Sequence, residues 1–303
     1  MPEYTETVLQ LGTIIQFRVV SDLPEAEVEE GVRRAKGAMQ NVEAICSRFD
    51  ETSELRQLSL HVGKPVHVSD ILFEVLRFSL AVAEETDGLF DPTLGRILSA
   101  HGFRHHYLTG QEVVDEVASP GEASYRDVVM DEMEKTVTLT RPLTLDLGAV
   151  AKGFALDLAA AQLKAFEGYV IDAGGDVALG GQGPADGLWT VGIRNPVKTN
   201  EVLCVLRATD TFICTSGGYE RKSQTNPDSH HLILPTSGTS PTGVLSTTVM
   251  APYGMLADAF STVTFLQGCS DGIRMLDELE LPGLMIDDRE IIHMTERMKE
   301  YMP

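Results

Sequence analysis

The stretch LDLGAVAKGFALD, residues 145–157, passes from alternating apolar residues into a helical pattern. The alternation predicts a strand, LTLDL, with Asp146 near its end, a turn at Gly148 and a helix that starts near Lys152. A strand-to-helix corner can present backbone N–H groups to a phosphate, and Lys152 would add a cation there. The glycines match neither the Walker A pattern nor GxGxxG, so neither phosphate-binding mechanism applies. An exposed lysine at a helix start is the ordinary alternative for Lys152.

Outward from this corner, strand and helix patterns mix without a regular strand–helix–strand alternation. We therefore predict an α+β fold of mixed sheets packed with helices. A chain of 303 residues allows two intimately packed lobes or one large domain with an inserted element. The strongest patterns predict helices at 24–46, 69–86, 153–166, 255–267 and 271–280. They predict a meander of short strands within 125–147, and single strands at 13–20, 169–173, 189–193, 202–208, 211–216 and 244–251. Residues 88–97 are expected to be a loop.

Composition limits the function classes. The chain has 24 basic and 45 acidic residues, a net charge of -21, which disfavours a nucleic-acid partner because phosphates are neutralised by Lys and Arg. The four cysteines form no CxxC pair and predict neither a disulfide framework nor a ribbon-type zinc site. The first residues carry no basic and apolar export pattern, and no membrane span is expected. This predicts a compact cytoplasmic protein, or an exported one if a leader was trimmed.

Two oxygen-bearing side chains share a predicted helix near the end of the chain. Asp258 and Thr262 are four residues apart and so lie on one helix face, one turn apart. Oxygen donors without neighbouring Cys or His suit Mg²⁺ or Ca²⁺ rather than zinc. On spacing alone, a solvated aspartate beside an ordinary helix-face threonine is the more frequent arrangement.

A glycine turn and a histidine pair complete the candidates. Gly174, Gly175 and Asp176 stand between two short apolar runs, which suits a hairpin turn or a close approach of backbone to a ligand. His230 and His231 precede LILPTSG, and His231 leads a run that resembles a strand. A histidine titrates near neutrality and can deprotonate an alcohol, although most histidines have structural or solvated roles.

Eight motifs in order resemble those of the ApbE family, the FAD:protein FMN transferases. The resemblance runs from Leu11 to about Gly268 and predicts a single ApbE-like domain over 1–303, with its core at about 11–268 and a T-fold-related architecture. Two positions depart from the family's usual pattern: Leu234 stands where aspartate is usual, and Gly218 where an acidic or amide residue is usual. The motifs are SRFDETSEL (47–55), TDGLFDPTLG (86–95), LDLGAVAKGFALD (145–157), GGDVALGG (174–181), VGIRNP (191–196), TSGGYER (215–221), HHLILPTSG (230–238) and ADAFSTVTFLQG (257–268).

The resemblance implies roles for particular residues. Asp258, Thr262 and the backbone carbonyl of Ala149 correspond to magnesium ligands, and His231 corresponds to the catalytic base. The implied FAD-binding residues are Asp146, Lys152, Leu89, Phe90, Asp91, Phe49 and Leu11, with Gly175 and Asp176 of the glycine turn.

The implied reaction transfers FMN from FAD to a Thr or Ser hydroxyl of an acceptor flavoprotein through a phosphoester bond, and releases AMP. Mg²⁺ is the implied cofactor, FAD a substrate, and a homodimer is one assembly that the resemblance allows. Two alternatives stay open: an FAD pyrophosphatase that yields FMN and AMP, and a non-catalytic flavin-binding protein. A scaffold without flavin affinity or metal dependence is the remaining alternative class.

Overall fold

The computed structural model describes residues 1–105, 110, 112–113, 123–184, 186–198, 200–219, 221–223 and 229–303. The chain divides into two compact units, each assembled from separate stretches of sequence. The first unit comprises Met1–Gln40, Lys152–Tyr219 and Thr242–Pro303, and the second comprises Asn41–Ala151 and Glu220–Pro241. The expectation of a single domain over 1–303, with its core at about 11–268, stays a prediction.

Helices and strands alternate irregularly along the described chain. The strands are β1 (Glu3–Gln10), β2 (Thr13–Val20), β3 (Val66–His67), β4 (Val128–Asp131), β5 (Thr136–Leu139), β6 (Gly168–Ala173), β7 (Asp176–Gly181), β8 (Trp189–Arg194), β9 (Val202–Ala208), β10 (Thr211–Gly217), β11 (Val244–Ala251), β12 (Gly283–Asp287) and β13 (Ile292–Met294). The α-helices are α1 (Glu25–Cys46), α2 (Glu54–Ser59), α3 (Asp70–Glu85), α4 (Gly95–Ala100), α5 (Ala151–Leu163), α6 (Gly254–Gln267) and α7 (Cys269–Glu278). Short 3-10 turns occupy Tyr125–Asp127 and Arg297–Tyr301.

The first unit contains an eight-stranded antiparallel sheet in the order β1-β2-β6-β7-β10-β11-β12-β13. Strand β2 shows why this sequence forms a half-buried strand: Ile15, Phe17 and Val19 are almost fully buried, while Ile14 and Gln16, which point to the other face, are exposed. Helix α6 packs on β10 and β11. The β8–β9 hairpin contributes to a core cluster of this unit that includes Trp189, Leu206, Ile213 and Met250.

The second unit contains the small sheet β3-β5-β4 and helices α2, α3 and α4. Helix α3 begins after Ser69, whose hydroxyl accepts a hydrogen bond from the Leu72 N–H. One face of α3 is apolar and buried, including Val75 and Leu76. A helix with one such stripe is held chiefly by packing rather than by propensity.

The α+β prediction is confirmed, and three local predictions are wrong. LTLDL (143–147) is not a strand: the Asp146 N–H donates to the Pro92 carbonyl and the Gly95 N–H to the Thr144 carbonyl, so this extended segment pairs with a loop. The segment that follows His231 is also irregular. The expected loop at 88–97 contains the first residues of α4.

Among the described residues, no helix combines the length and the apolar character that crossing a bilayer would need.

Candidate functional site

Asp258 and Thr262 are buried on one face of α6. Asp258 is 5% exposed and Thr262 7% exposed, so the solvated arrangement that spacing alone favours is wrong. The Asp258 Oδ2 accepts a hydrogen bond of 2.9 Å from the backbone N–H of Gly153, in the first turn of α5. A buried carboxylate is stable only when hydrogen-bond donors or cations compensate its charge. The start of α5 supplies one such donor.

The Thr262 hydroxyl is held by strand β10. Its Oγ1 lies 3.1 Å from the Ser216 Oγ, which in turn lies 2.8 Å from the Ser261 Oγ. The Ser261 hydroxyl donates to the Asp258 carbonyl oxygen at 2.8 Å. The hydroxyl network therefore restricts the Thr262 rotamer. It also links the Thr262 side chain to the backbone of Asp258, one turn earlier in α6.

Helices α5 and α6 touch backbone to backbone at two glycines. A Cβ on Gly153 would lie 2.3 Å from the Gly254 carbonyl oxygen, and a Cβ on Gly254 would lie 2.4 Å from the Gly153 carbonyl oxygen. Asp157 accepts hydrogen bonds from the Gly254 and Met255 N–H groups at 2.7 and 3.0 Å, so it caps the α6 N-terminus. Burial raises the pKa of Asp157, and these hydrogen bonds oppose the rise.

Lys152 forms an ion pair with Asp176 at the start of β7. The Asp176 side chain is 3% exposed and the Lys152 side chain 27%, so an isolated surface lysine is the wrong interpretation of Lys152. Asp176 also accepts a hydrogen bond of 2.9 Å from the Thr215 N–H on β10. Pairing and hydrogen bonding together allow the Asp176 carboxylate to be buried.

Two hairpin turns lie side by side at one end of the large sheet. The β1–β2 turn is formed by Leu11 and Gly12, both with positive φ, and the predicted glycine turn by Gly174 and Gly175 at φ of 70° and 98°. A Cβ on Gly174 would lie 2.2 Å from the Thr13 Oγ1, so only glycine allows the two turns this approach. Leu11 and Gly175, both predicted to bind FAD, thus occupy neighbouring turns.

Asp146 lies at the centre of a hydrogen-bonded loop in the second unit. Its Oδ1 accepts from the Gly148 N–H at 2.8 Å, and its Oδ2 lies 2.7 Å from the Nε of Arg48. The turn continues through Ala149 to α5, and the Val150 and Ala151 N–H groups both donate to the Leu147 carbonyl. Ala149, the predicted backbone ligand, is therefore in a tight turn directly before the helix.

The 89–93 loop is organised by Asp91. Its Oδ1 accepts from the Thr93 N–H and hydroxyl at 2.8 and 2.7 Å, and its Oδ2 accepts from the Tyr125 N–H at 3.1 Å. Burial raises the pKa of Asp91, while the bonds from Thr93 and Tyr125 lower it. Phe90 is buried and Leu89 is half-buried. Asp91 thus shapes the loop that also carries Leu89 and Phe90, which are predicted to bind FAD.

His231 is half-buried, and its ring meets the Phe103 ring edge-on at 6.4 Å and 71°. Its backbone N–H donates to the Arg221 carbonyl at 3.2 Å. Burial is the main cause of a lowered pKa at the adjacent His230. The His230 N–H donates to the Ser240 hydroxyl, which donates back to the His230 carbonyl, each at 2.9 Å. Hydrogen bonds within the loop, rather than a strand, hold the histidine pair.

The donor set fits a hard divalent cation. Asp258 and Thr262 offer carboxylate and hydroxyl oxygens on one buried helix face, which are ligand types that Mg²⁺ accepts. Within the described ranges there is no group of three or more His, Cys, Asp and Glu residues arranged to hold a metal. A site built from these two side chains would therefore depend on backbone, substrate or water oxygens for its remaining ligands.

Sequence reasoning missed Arg48 and Asp157. Arg48 lies in SRFD, where one arginine among polar residues is typical of a surface position, yet it is 5% exposed. Asp157 ends the GFALD run in a helix whose apolar residues give no sign of a polar partner. The signal that could have found Asp157 is an aspartate on a buried helix face, which requires a partner.

These features define an α+β protein with a buried oxygen-donor pair suited to a divalent cation. The chain belongs to the ApbE family, whose match spans residues 11–285. It is 32% identical over 93% of its length to the FAD:protein FMN transferase of Treponema pallidum, and covers 83% of that protein. It is 29% identical over 98% of its length to the FAD:protein FMN transferase of Rhodobacter capsulatus, and covers 58% of it. The predicted family is confirmed.

Solved structures support the same fold. The crystal structure of the ApbE protein of Thermotoga maritima is 27% identical, with a TM-score of 0.88 over 100% of both chains. The flavin transferase ApbE of Vibrio cholerae is 23% identical, with a TM-score of 0.85 over 99% of both chains, a similarity of fold alone. The predicted ApbE-like fold is confirmed.

Proposed function

We propose that this chain is an FAD:protein FMN transferase that requires Mg²⁺. It transfers FMN from FAD to a Ser or Thr hydroxyl of an acceptor flavoprotein, and it releases AMP. The observation that carries the proposal is the buried pair Asp258 and Thr262, whose oxygens are held by Gly153 and by Ser216. Family membership and the names of the Treponema and Rhodobacter relatives support it.

Asp258, Thr262 and the carbonyl of Ala149 would hold the ion. When bound, Mg²⁺ would offset the negative charge of the pyrophosphate. Without such a cation, a chain of net charge -21 would repel the pyrophosphate. Lys152 adds a cation at the start of α5, and its partner Asp176 restrains where the ammonium group points. The remaining proposed FAD-binding residues are Asp146, Leu89, Phe90, Asp91, Phe49, Leu11 and Gly175.

His231 is proposed to accept the proton of the acceptor hydroxyl at a ring nitrogen. The hydroxyl oxygen forms a bond to the FMN phosphorus, and the bond from that phosphorus to the bridging oxygen breaks. AMP leaves with that oxygen and its electron pair. The edge-on contact with Phe103 restricts the His231 ring, so a base held this way loses less rotational freedom in the reaction.

The departure at Leu234 bears on the choice between transfer and hydrolysis. The Leu234 N–H donates to the Thr239 carbonyl at 2.9 Å, and its carbonyl accepts from the Gly238 N–H at 2.8 Å. The Leu234 side chain takes part in neither bond, so these two bonds need no carboxylate at position 234. We therefore expect the histidine loop to keep its conformation despite the substitution, so the departure at Leu234 gives no reason to prefer hydrolysis over transfer.

The test mixes the purified protein with FAD, MgCl2 and an acceptor protein that carries a Ser or Thr flavinylation motif. In-gel flavin fluorescence reports the labelled acceptor, and chromatography reports AMP. Equal amounts of labelled acceptor and AMP are expected, and both should disappear with EDTA. FMN plus AMP without a labelled acceptor would identify a pyrophosphatase, and FAD that binds but stays intact would identify a flavin-binding protein.

Asp258→Asn provides the matched variant because it keeps the shape of the side chain and removes the charge. Asp271→Asn on α7 is its control, since Asp271 is an exposed aspartate that pairs with Arg274 in a surface (i, i+3) contact. We expect labelling to fall at least about 100-fold in the first variant and to stay unchanged in the second. Full labelling by Asp258→Asn would refute the metal assignment.

A further inference from the structure

Arg48 is a buried arginine that contacts several segments of the second unit. It is 5% exposed, and its Nε lies 2.7 Å from the Asp146 Oδ2. Its Nη1 donates to the Gly95 carbonyl at 2.9 Å, and its Nη2 donates to the Phe103 carbonyl. The guanidinium carbon lies 4.7 Å from the centre of the Phe49 ring. A buried arginine is rare unless its charge is compensated. Here the two Nη atoms donate to carbonyls of two segments, and the Nε forms a close ion pair with the Asp146 carboxylate without hydrogen-bond geometry.

Each contact reaches a segment that carries a residue of the proposed function. Arg48 contacts Asp146 directly, and Phe49 follows Arg48 in the chain. The Asp146 N–H donates to the Pro92 carbonyl at 2.8 Å, directly after Asp91. The Phe103 ring meets His231.

The geometry of the guanidinium decides what it can do there. Arginine presents its donors in a rigid planar fork, so the bonds from Nη1 and Nη2 to the Gly95 and Phe103 carbonyls fix the guanidinium plane and keep its positive charge beside the Asp146 carboxylate. The Asp146 Oδ1 is held independently by the Gly148 N–H. The carboxylate is therefore held by one oxygen to its own turn and by the other to Arg48.

We propose that Arg48 is a positioning residue for FAD binding, acting through Asp146. The inference rests on the proposed function, in which Asp146 contacts FAD. Without the guanidinium, the Asp146 carboxylate would lose the partner of its Oδ2 and turn away from the orientation that FAD requires.

A double-mutant cycle tests this inference. The variants are Arg48→Met, Asp146→Asn and the combination of both, and the readout is the FAD dissociation constant measured by titration with Mg²⁺ present. Each single variant should raise that constant by about ten-fold, a usual effect of losing a residue that orients a ligand-binding group. The combination should raise it no more than about two-fold beyond the weaker-binding single variant, because both substitutions remove one interaction.

Arg77→Met on α3 is the control, because Arg77 is an exposed arginine that pairs with Glu74 on its own helix. Its FAD affinity should equal that of the wild type. Arg48→Lys is the second variant: it keeps the charge, so it should fold even if Arg48→Met does not, but it lacks the planar fork and should still weaken FAD binding. Circular dichroism and thermal unfolding of every variant establish that the protein is folded.

The outcomes separate this inference from the proposed function. If the wild type does not bind FAD, the proposed function fails and the inference fails with it. If the wild type binds FAD but the fold-increase in dissociation constant of the double variant equals the product of the two single-variant increases, Arg48 does not act through Asp146. If Arg48→Met or Arg48→Lys folds with a lower melting temperature but unchanged FAD affinity, Arg48 has a purely structural role.

Discussion

Gly153→Ala should destabilise the protein although alanine is the better helix former. Replacing a glycine inside a helix by alanine usually adds about 1 kcal/mol of stability. Here the new Cβ would lie 2.3 Å from the Gly254 carbonyl oxygen and 2.8 Å from the Asp258 Cβ, neither of which is the end of a flexible side chain. Overpacking of this kind costs about 3 kcal/mol at the upper end of the usual range.

The difference is a net loss of about 2 kcal/mol in the free energy of unfolding. For a chain of 303 residues, an unfolding entropy of about 2.1 cal/mol/K per residue makes this a melting temperature roughly 3 °C lower. Urea unfolding followed by circular dichroism measures the loss. Because the Gly153 N–H is bonded to Asp258, separation of the two helices should also weaken Mg²⁺ binding, which isothermal titration measures without any enzymatic assay.

Gly37→Ala provides the matched control. Gly37 lies in α1 and is exposed, and a Cβ there meets nothing within 4 Å. That variant should gain roughly 0.5–1 kcal/mol, the ordinary difference in helix propensity. Gly254→Ala should lose stability as Gly153→Ala does, since its Cβ would lie 2.4 Å from the Gly153 carbonyl oxygen. A Gly153→Ala protein as stable as Gly37→Ala, with unchanged Mg²⁺ affinity, would refute the reasoning.

Three further perturbations test other contacts. Ser216→Ala removes the partner of the Thr262 hydroxyl, so Mg²⁺ affinity measured by titration calorimetry should fall about ten-fold while the fold is kept; unchanged affinity would contradict it. Lys152→Met leaves the buried Asp176 carboxylate without its cation and should cost about 3 kcal/mol in urea unfolding, a value in the range for breaking a buried pair. The folded-state pKa of His230 is lowered, so the stability tied to its neutral form is present above pH 6.5 and is lost as pH falls through the folded-state pKa. His230→Asn should therefore lose less stability than the wild type between pH 7.5 and 5.5, and equal losses would show that His230 does not contribute.

Local patterns predicted most helices and hairpins because those elements depend on residues close in sequence. The turn at Gly174 and Gly175 needs two residues with positive φ, and a pair of glycines in the sequence predicts such a turn. The α3 start follows in the same way from Ser69. Strand β1 was not predicted because it is an edge strand with polar and charged residues, such as Glu3 and Glu6, rather than a buried apolar run.

Contacts between distant parts of the chain could not be predicted. LTLDL has a period of two and four buried residues, yet its backbone pairs with the loop near Pro92. Periodicity reports which side chains are buried, and it cannot say which backbone groups serve as partners. The burial of Asp258 likewise depends on Gly153, 105 residues away. The order of the motifs suggested that Asp258 is a metal ligand, whereas helix spacing alone favoured a solvent-exposed aspartate.

The large sheet has the same strand order in space as in sequence, although long excursions separate β2 from β6 and β10 from β11. During synthesis, each strand that leaves the ribosome finds its partner already present at the growing edge of the sheet. Assembly can therefore proceed in one direction, from the β1–β2 hairpin toward β13, without inserting a late strand between two earlier ones. The edge left by β2 stays unpaired while the 147 residues from 21 to 167 are synthesised before β6 arrives, and an unpaired edge is where strands of other chains can add. Translational pausing or chaperone contact would have its greatest effect on this protein at that stage.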